Sequence, residues 1–334
     1  MNKQELFEKV YGCLMGGLIG DAFGAPVEGM HYKDIAEKHG TVNTFSGSGT
    51  DDSAVKLILC RALLKYDGHI TADEFAESFM ENPEFYNLFF IPVCNMFHKV
   101  KDKIALPIDA GYGNMQSSSS AMAISPMGIV NAANPRQAAM EAFEVAGLIH
   151  SGPTSFCRDG AAAIAAATAE AMRPNTTIES ILSSATSYLH KTSSELMINK
   201  IKNGLQMAKD EKTYEAFRER YYNECLFDII CDSRETIPLA LALFMLAGGD
   251  PEQTIVYAAN FGRDADTVAS MAGAIAGAYR GISGFPAEWI AKIESENSTQ
   301  KQLAVDMTDL AVKRIEESEN YSSFFSSILS VDRK

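Results

Sequence analysis

The chain has 334 residues, 46% hydrophobic and 22% charged, which supplies apolar material for one large core or two. A formal net charge of −14 argues against nucleic-acid partners, whose phosphates need a basic face, and no basic amphipathic segment favours an anionic membrane. The six cysteines (Cys13, Cys60, Cys94, Cys157, Cys225, Cys231) form no Cys-x-x-Cys pair and mostly sit in apolar patterns, so free thiols in a reducing, cytoplasmic setting are expected.

Residues 3 to 20 read as a helix with acids at Glu5 and Glu8, where a signal peptide would want positive charge. Its second half, Gly12 to Gly20, is apolar with small residues at helical spacing. Glycine inside a helix costs roughly 1 kcal/mol relative to Ala, so several together predict very close packing against another helix. The chain then turns through Asp21 to Gly29, where Glu28 is an acid in an otherwise apolar stretch. Surface-loop acid and chemical group are both open readings for it. Residues 31 to 49 are expected to be loop-rich. Thr50-Asp51-Asp52-Ser53 follows, running into an amphipathic helix with Val55, Ile58, Leu59, Ala62 and Leu63 on one face.

A helix from Asp73 to about Met80, capped by Thr71, precedes an aromatic stretch from Phe85 to Phe97 with Pro83 and Pro92 as breaks. Asp109 to Ser120 is rich in glycine and serine, which fits either a flexible linker or a small-residue loop lining a pocket. Beyond Pro135 nearly everything reads as helix: 135 towards 149, then 158–172, 177–191, 194–209, 213–224, 234–247, 251–260, 266–280, 286–294 and 300–316. The Ala-rich run from Gly160 to Met172 is too short to span a bilayer. His150 ends an apolar helix, where a histidine is readily satisfied. There is no strand series, no fixed-period repeat and no domain linker. The expectation is one all-α domain, a helical bundle over residues 1–334.

Asp264, Asp266 and Thr267 stand before the buried-looking helix Val268 to Tyr279, in the same design as the Thr50 cluster. Residues at i and i+2 of a turn point to one side, and two close carboxylates repel unless a cation or a shared proton lies between them. Helix capping is the plain alternative, but one side chain suffices for that. Two such clusters suggest one site built from both ends of the chain. All-oxygen ligands suit Mg²⁺, Mn²⁺ or Ca²⁺ rather than zinc, and four acids leave room for two ions.

These landmarks, in this order, resemble the ADP-ribosylglycohydrolases. The matching pieces are Gly16 to Glu28 (GGLIGDAFGAPVE), Thr50 to Ser53 (TDDS), His150 after its helix, and Gly262 to Thr267 (GRDADT), spanning the chain from near residue 11 to about 285. The resemblance implies a compact helical fold with two Mg²⁺ ions, or Mn²⁺, on the floor of a cleft. It implies Thr50, Asp51, Asp52, Asp264, Asp266 and Thr267 as metal ligands, with Glu28 and Asp52 as the catalytic acids. Asn114, Ser117, Ser118, Ser119, His150, Gly262 and Arg263 are the residues expected around the substrate. The implied reaction cleaves the bond between ADP-ribose and an acceptor, on a protein side chain or a small molecule.

The sequence departs from the family pattern in one loop. Where many members carry Gly-Asn-Gly-Ala and then Met-Arg before Ala-Pro, this chain has Ser117 to Ser120 and then Met122-Ala123 before Ser125-Pro126. Ser53 also replaces a threonine. The metal floor is therefore expected to be kept and the cleft above it re-cut, with Asn114 and Ser117 to Ser120 facing ligand. Two alternatives stay open: hydrolysis of another N- or O-ribosyl compound such as a nucleoside, and binding without turnover. The sequence does not indicate an oligomeric state.

Overall fold

Asn2 opens the first helix with a reciprocal cap, its side chain taking the Glu5 N–H while Glu5 accepts the Asn2 amide, both at 2.9 Å. The computed structural model describes residues 1–47, 49–296 and 299–331. In chain order the α-helices are α1 (Lys3–Gly24), α2 (Tyr32–His39), α3 (Asp51–Lys65), α4 (Ala72–Glu81), α5 (Ile91–Lys101), α6 (Ser125–Val130), α7 (Pro135–Val145) and α8 (Phe156–Ala171). They continue as α9 (Ile178–Ser187), α10 (Glu195–Glu211), α11 (Tyr214–Glu224), α12 (Ser233–Leu246), α13 (Pro251–Ala259), α14 (Ala265–Arg280), α15 (Ala287–Glu296) and α16 (Gln300–Val331). Among the described residues there is no sheet, only two isolated bridges, His31 to Gly262 and Tyr112 to Ser151. The chain is a single all-helical domain.

The organising contact is α1 against α14. Gly12, Gly16, Gly20 and Gly24 recur every four residues on α1, and a Cβ on any of them would collide with the backbone of Gly277, Gly273, Ala269 or Asp266 in turn. The two helices meet backbone to backbone, as the glycine spacing predicts. Both are buried almost throughout, α14 from Ala265 to Ala278. By length and composition the α1 segment could cross a membrane, but 89% of its apolar window is buried inside this domain. It is a core helix. The consequence for the site is positional: the C-terminal end of α1 lies beside the N-terminus of α14.

Three expectations change. Residues 31–49 contain α2, whose start is capped by His31 Nδ1 accepting the Lys33 N–H at 3.1 Å. The aromatic stretch holds a 3₁₀ turn (Pro83–Leu88) and then α5, because Pro92 sits in the first turn of that helix, where its missing N–H costs nothing. Helix α16 continues to Val331 rather than stopping at 316, since no glycine or proline interrupts it. Its last turns carry an exposed stripe of Tyr321, Phe324, Phe325 and Ile328. The apolar face expected on α3 is fully buried at Val55, Ile58, Leu59, Ala62 and Leu63. All six cysteines are free thiols.

Candidate active site

The N-termini of α3 and α14 meet, bringing the two oxygen clusters together. Thr267 Oγ1 donates to Asp52 Oδ2 at 3.1 Å, and Asp266 Oδ1 accepts the Thr267 N–H at 2.9 Å. Neither N-cap residue, Thr50 or Asp264, makes a side-chain capping bond. Capping therefore does not account for Thr50 or Asp264, although Asp266 does satisfy one first-turn amide of α14.

Glu28 reaches the same place from the turn after α1. Gly29 N donates to Arg263 O at 2.7 Å and Arg263 N donates to Met30 O at 2.9 Å, stitching that turn to the segment before α14. Gly262 and Arg263 both adopt positive φ (78° and 62°) to make this join. The Arg263 guanidinium turns away to pair with buried Glu235 at 2.8 and 2.9 Å. Gly262 and Arg263 thus hold the Glu28 turn and do not line the cleft. Glu28 is exposed at the mouth, and Glu28, Asp264 and Asp266 each offer one carboxylate oxygen within 4.8 Å of the others.

The electrostatics of this cluster are unfavourable without a cation. Burial raises Asp51 to about 6 and Asp266 to about 8, with the charges of Asp21 and Glu28 respectively adding to it. Burial likewise lifts Asp52 and Asp264 well above the carboxylate range, reinforced by Asp21 and Asp266 for the first and by Asp266 for the second. Glu28 is raised for the same reason, and then by Asp21. Lys56 eases Asp52 slightly, but its ammonium is bonded to Ser270 at 2.8 Å. Asp52 Oδ1 is buried with no hydrogen-bond partner. A buried carboxylate oxygen without a donor, among acids supplying only oxygen, is what a hard divalent cation would complete. The residues fit such an ion.

Above the floor lies a cleft of about 450 Å³, whose apolar lining comes from Leu88, Phe89 and Phe90 and from Met122, Ile229, Ile230 and Cys231. The serine run is neither linker nor solvent loop, being at most 4% exposed. Ser118 and Ser119 line the cleft, and Ser118 Oγ donates to Asp264 Oδ2 at 3.0 Å. Ser117 and Ser120 instead hold the two ring nitrogens of His150, at 3.0 and 2.9 Å. Burial keeps His150 neutral, its pKa pushed down to about 3. Asn114 is spent on backbone carbonyls, donating to Pro92 O at 3.0 Å and Ile149 O at 2.7 Å. Asn114, Ser117 and His150 therefore brace the loop from behind rather than face ligand.

Sequence reasoning passed over Asp21, Lys56 and the apolar walls. The available signal was an acid or a lysine inside an otherwise apolar helical run. The walls gave none, because their residues look like ordinary core.

The ADP-ribosylglycohydrolase family model matches residues 2–320. The ADP-ribosylhydrolase ARH3 of Bos taurus is 25% identical over 86% of this chain and 89% of its own length. The ADP-ribosylarginine hydrolase Tri1 of Pseudomonas putida is 47% identical over 57 residues, 17% of this chain and 15% of its own. A solved structure described as an ADP-ribosylglycohydrolase-related protein complex aligns with a TM-score of 0.71 at 21% identity, covering 92% of this chain and 99% of that one. That likeness speaks for the fold.

Proposed function

The chain belongs to the ADP-ribosylglycohydrolase family, and on that premise we propose that it hydrolyses the bond between an ADP-ribosyl unit and its acceptor in a divalent-cation-dependent reaction. The observation that carries the reading is the unpartnered Asp52 oxygen at the meeting point of two acid clusters. Thr50, Asp51, Asp52, Asp264, Asp266 and Thr267 would hold two Mg²⁺ ions, or Mn²⁺, which when bound would orient ribose hydroxyls and activate a water.

The chain's own groups divide the remaining work. Glu28, at the mouth with its pKa raised, takes a proton from the attacking water and returns one to the leaving acceptor atom. Asp52 has one oxygen held by Thr267 and the other free, so its orientation is set before ligand arrives. Ser118 fixes Asp264 in the same way. Phe89, Phe90, Ile229 and Ile230 keep water away from the anomeric carbon.

A second substrate reading has its own support. Among the described residues lining the cleft there is no lysine or arginine, and the Ser118 amide is already given to Cys231 O at 2.7 Å. A diphosphate therefore finds few free donors, which favours a smaller ribosyl compound such as a nucleoside. Binding without turnover is disfavoured by the complete set of acids. The substrate would be an ADP-ribosylated protein or a small ribosyl compound, met in the cytoplasm where free thiols persist.

The test is a panel of ADP-ribosyl-arginine, ADP-ribosyl-serine, ADP-ribosyl phosphate esters and nucleosides, each with Mg²⁺ and with EDTA. Mg²⁺-dependent turnover of any ADP-ribosyl compound supports the proposal. Turnover of nucleosides alone selects the second reading, and no turnover of any compound sinks both.

A further inference from the structure

A helix leaves its first backbone N–H groups without internal partners, and a Ser, Thr or Asp at its own start ordinarily accepts one of them. Helix α3 starts with four such residues, yet its N-cap Thr50 makes no capping bond. The acceptor comes from another helix. Asp21 of α1, fully buried, accepts the Thr50 N–H at 2.9 Å and the Ser53 N–H at 3.0 Å. The same carboxylate accepts the Thr50 hydroxyl at 2.9 Å and the Ser53 hydroxyl at 2.5 Å. One side chain thus serves two amides and two hydroxyls at the positive end of α3.

Two consequences follow for the cleft floor. Because the cap is supplied by α1, the acids of α3 itself are left free. Asp51 accepts a long bond from Phe90 N at 3.3 Å, and Asp52 Oδ1 accepts none. Second, a threonine hydroxyl that offers lone pairs to a cation must send its proton elsewhere. The Thr50 proton goes to Asp21. The fit is tight: a Cβ on Gly49 would stand 2.6 Å from Asp21 Oδ2 and 2.5 Å from Ser53 Oγ, and its φ of 93° is one that glycine adopts freely.

We propose that Asp21 is a positioning residue for the cation centre: by capping α3 from α1 it frees Asp51 and Asp52 and aims the Thr50 oxygen at the cleft. The inference rests on reading the floor as a divalent-cation site. An amide cannot replace the acid, since Asn carries one acceptor oxygen and would turn its NH₂ donor onto a backbone N–H.

Mn²⁺ binding to the full chain, measured by titration calorimetry at a temperature where circular dichroism shows each variant folded, tests this. Asp21→Asn and Asp21→Ala should weaken Mn²⁺ binding by about 10–100-fold, the usual scale for losing a group that orients a metal ligand. Leu63→Ala, on the same helix but far from its start, supplies a control that lowers the melting temperature and should leave Mn²⁺ affinity within about twofold. If both Asp21 variants fail to fold, Ser53→Ala removes one bond of the clasp and should weaken binding at least threefold, roughly. Wild-type protein that binds Mn²⁺ while the foldable variant of this set stays within twofold overturns the role of Asp21. Wild-type protein that binds no Mn²⁺ overturns the cation reading itself, and the proposal with it.

Discussion

Thr267 donates a hydrogen bond to Asp52 across 215 positions of chain, at 3.1 Å. It closes the floor of the cleft, because one partner heads α14 and the other heads α3. Everything expected of the site depends on that closure, and the following outcomes test its parts.

Divalent ions should stabilise the folded protein. Ligand present at 100 times its dissociation constant adds about 2.7 kcal/mol, which a melting curve resolves easily. Mg²⁺ or Mn²⁺ should raise the Tm of wild type, and Asp266→Asn or Asp52→Asn should lose most of that rise. A wild-type Tm indifferent to both ions refutes the site.

The metal-free protein should be least stable at alkaline pH. Asp51 and Asp266 titrate at about 6 and about 8 when folded, above the ordinary carboxylate value, so between pH 4 and 8 the folded state holds more protons than the unfolded one. Stability then falls as pH rises through that window. In EDTA the Tm should be higher at pH 5.5 than at pH 8, and saturating Mg²⁺ should flatten or reverse the trend. A flat profile in EDTA would mean that the acids do not strain the apo fold.

Glu28→Gln preserves shape and removes the charge at the mouth. Turnover on the best substrate of the panel should fall by roughly two to four orders of magnitude, the scale for losing an acid–base group. Mn²⁺ affinity should change far less. Turnover near that of wild type would return Glu28 to an ordinary loop acid.

Arg263→Ala separates a structural role from a substrate contact. It leaves Glu235, 1% exposed, without its bidentate partner. Breaking a buried pair from one side costs roughly 3–5 kcal/mol. A large loss of Tm is expected, and it should shrink at acid pH, where Glu235 can take a proton. A raised KM with an unchanged Tm would instead place the guanidinium on the substrate.

The sequence by itself settled what depends on local rules. Glycines every four residues between Gly12 and Gly24 could only mean helix–helix contact at backbone distance, and the structure supplies the partner α14. Two acid clusters, each with more carboxylates than a cap needs, marked the floor before any coordinates did. The helical class followed from periodicity, which is a property of neighbours in the chain. Pro92, read as a break in the aromatic stretch, instead sits in the first turn of α5, where a proline is tolerated.

Tertiary structure decided which polar side chains face the ligand and which are used up inside. Asn114, Ser117, His150 and Arg263 have the chemistry of binding residues, yet Asn114 is spent on Ile149, Ser117 on His150 and Arg263 on Glu235, partners 28 to 35 positions away that only the packing of separate elements brings within reach.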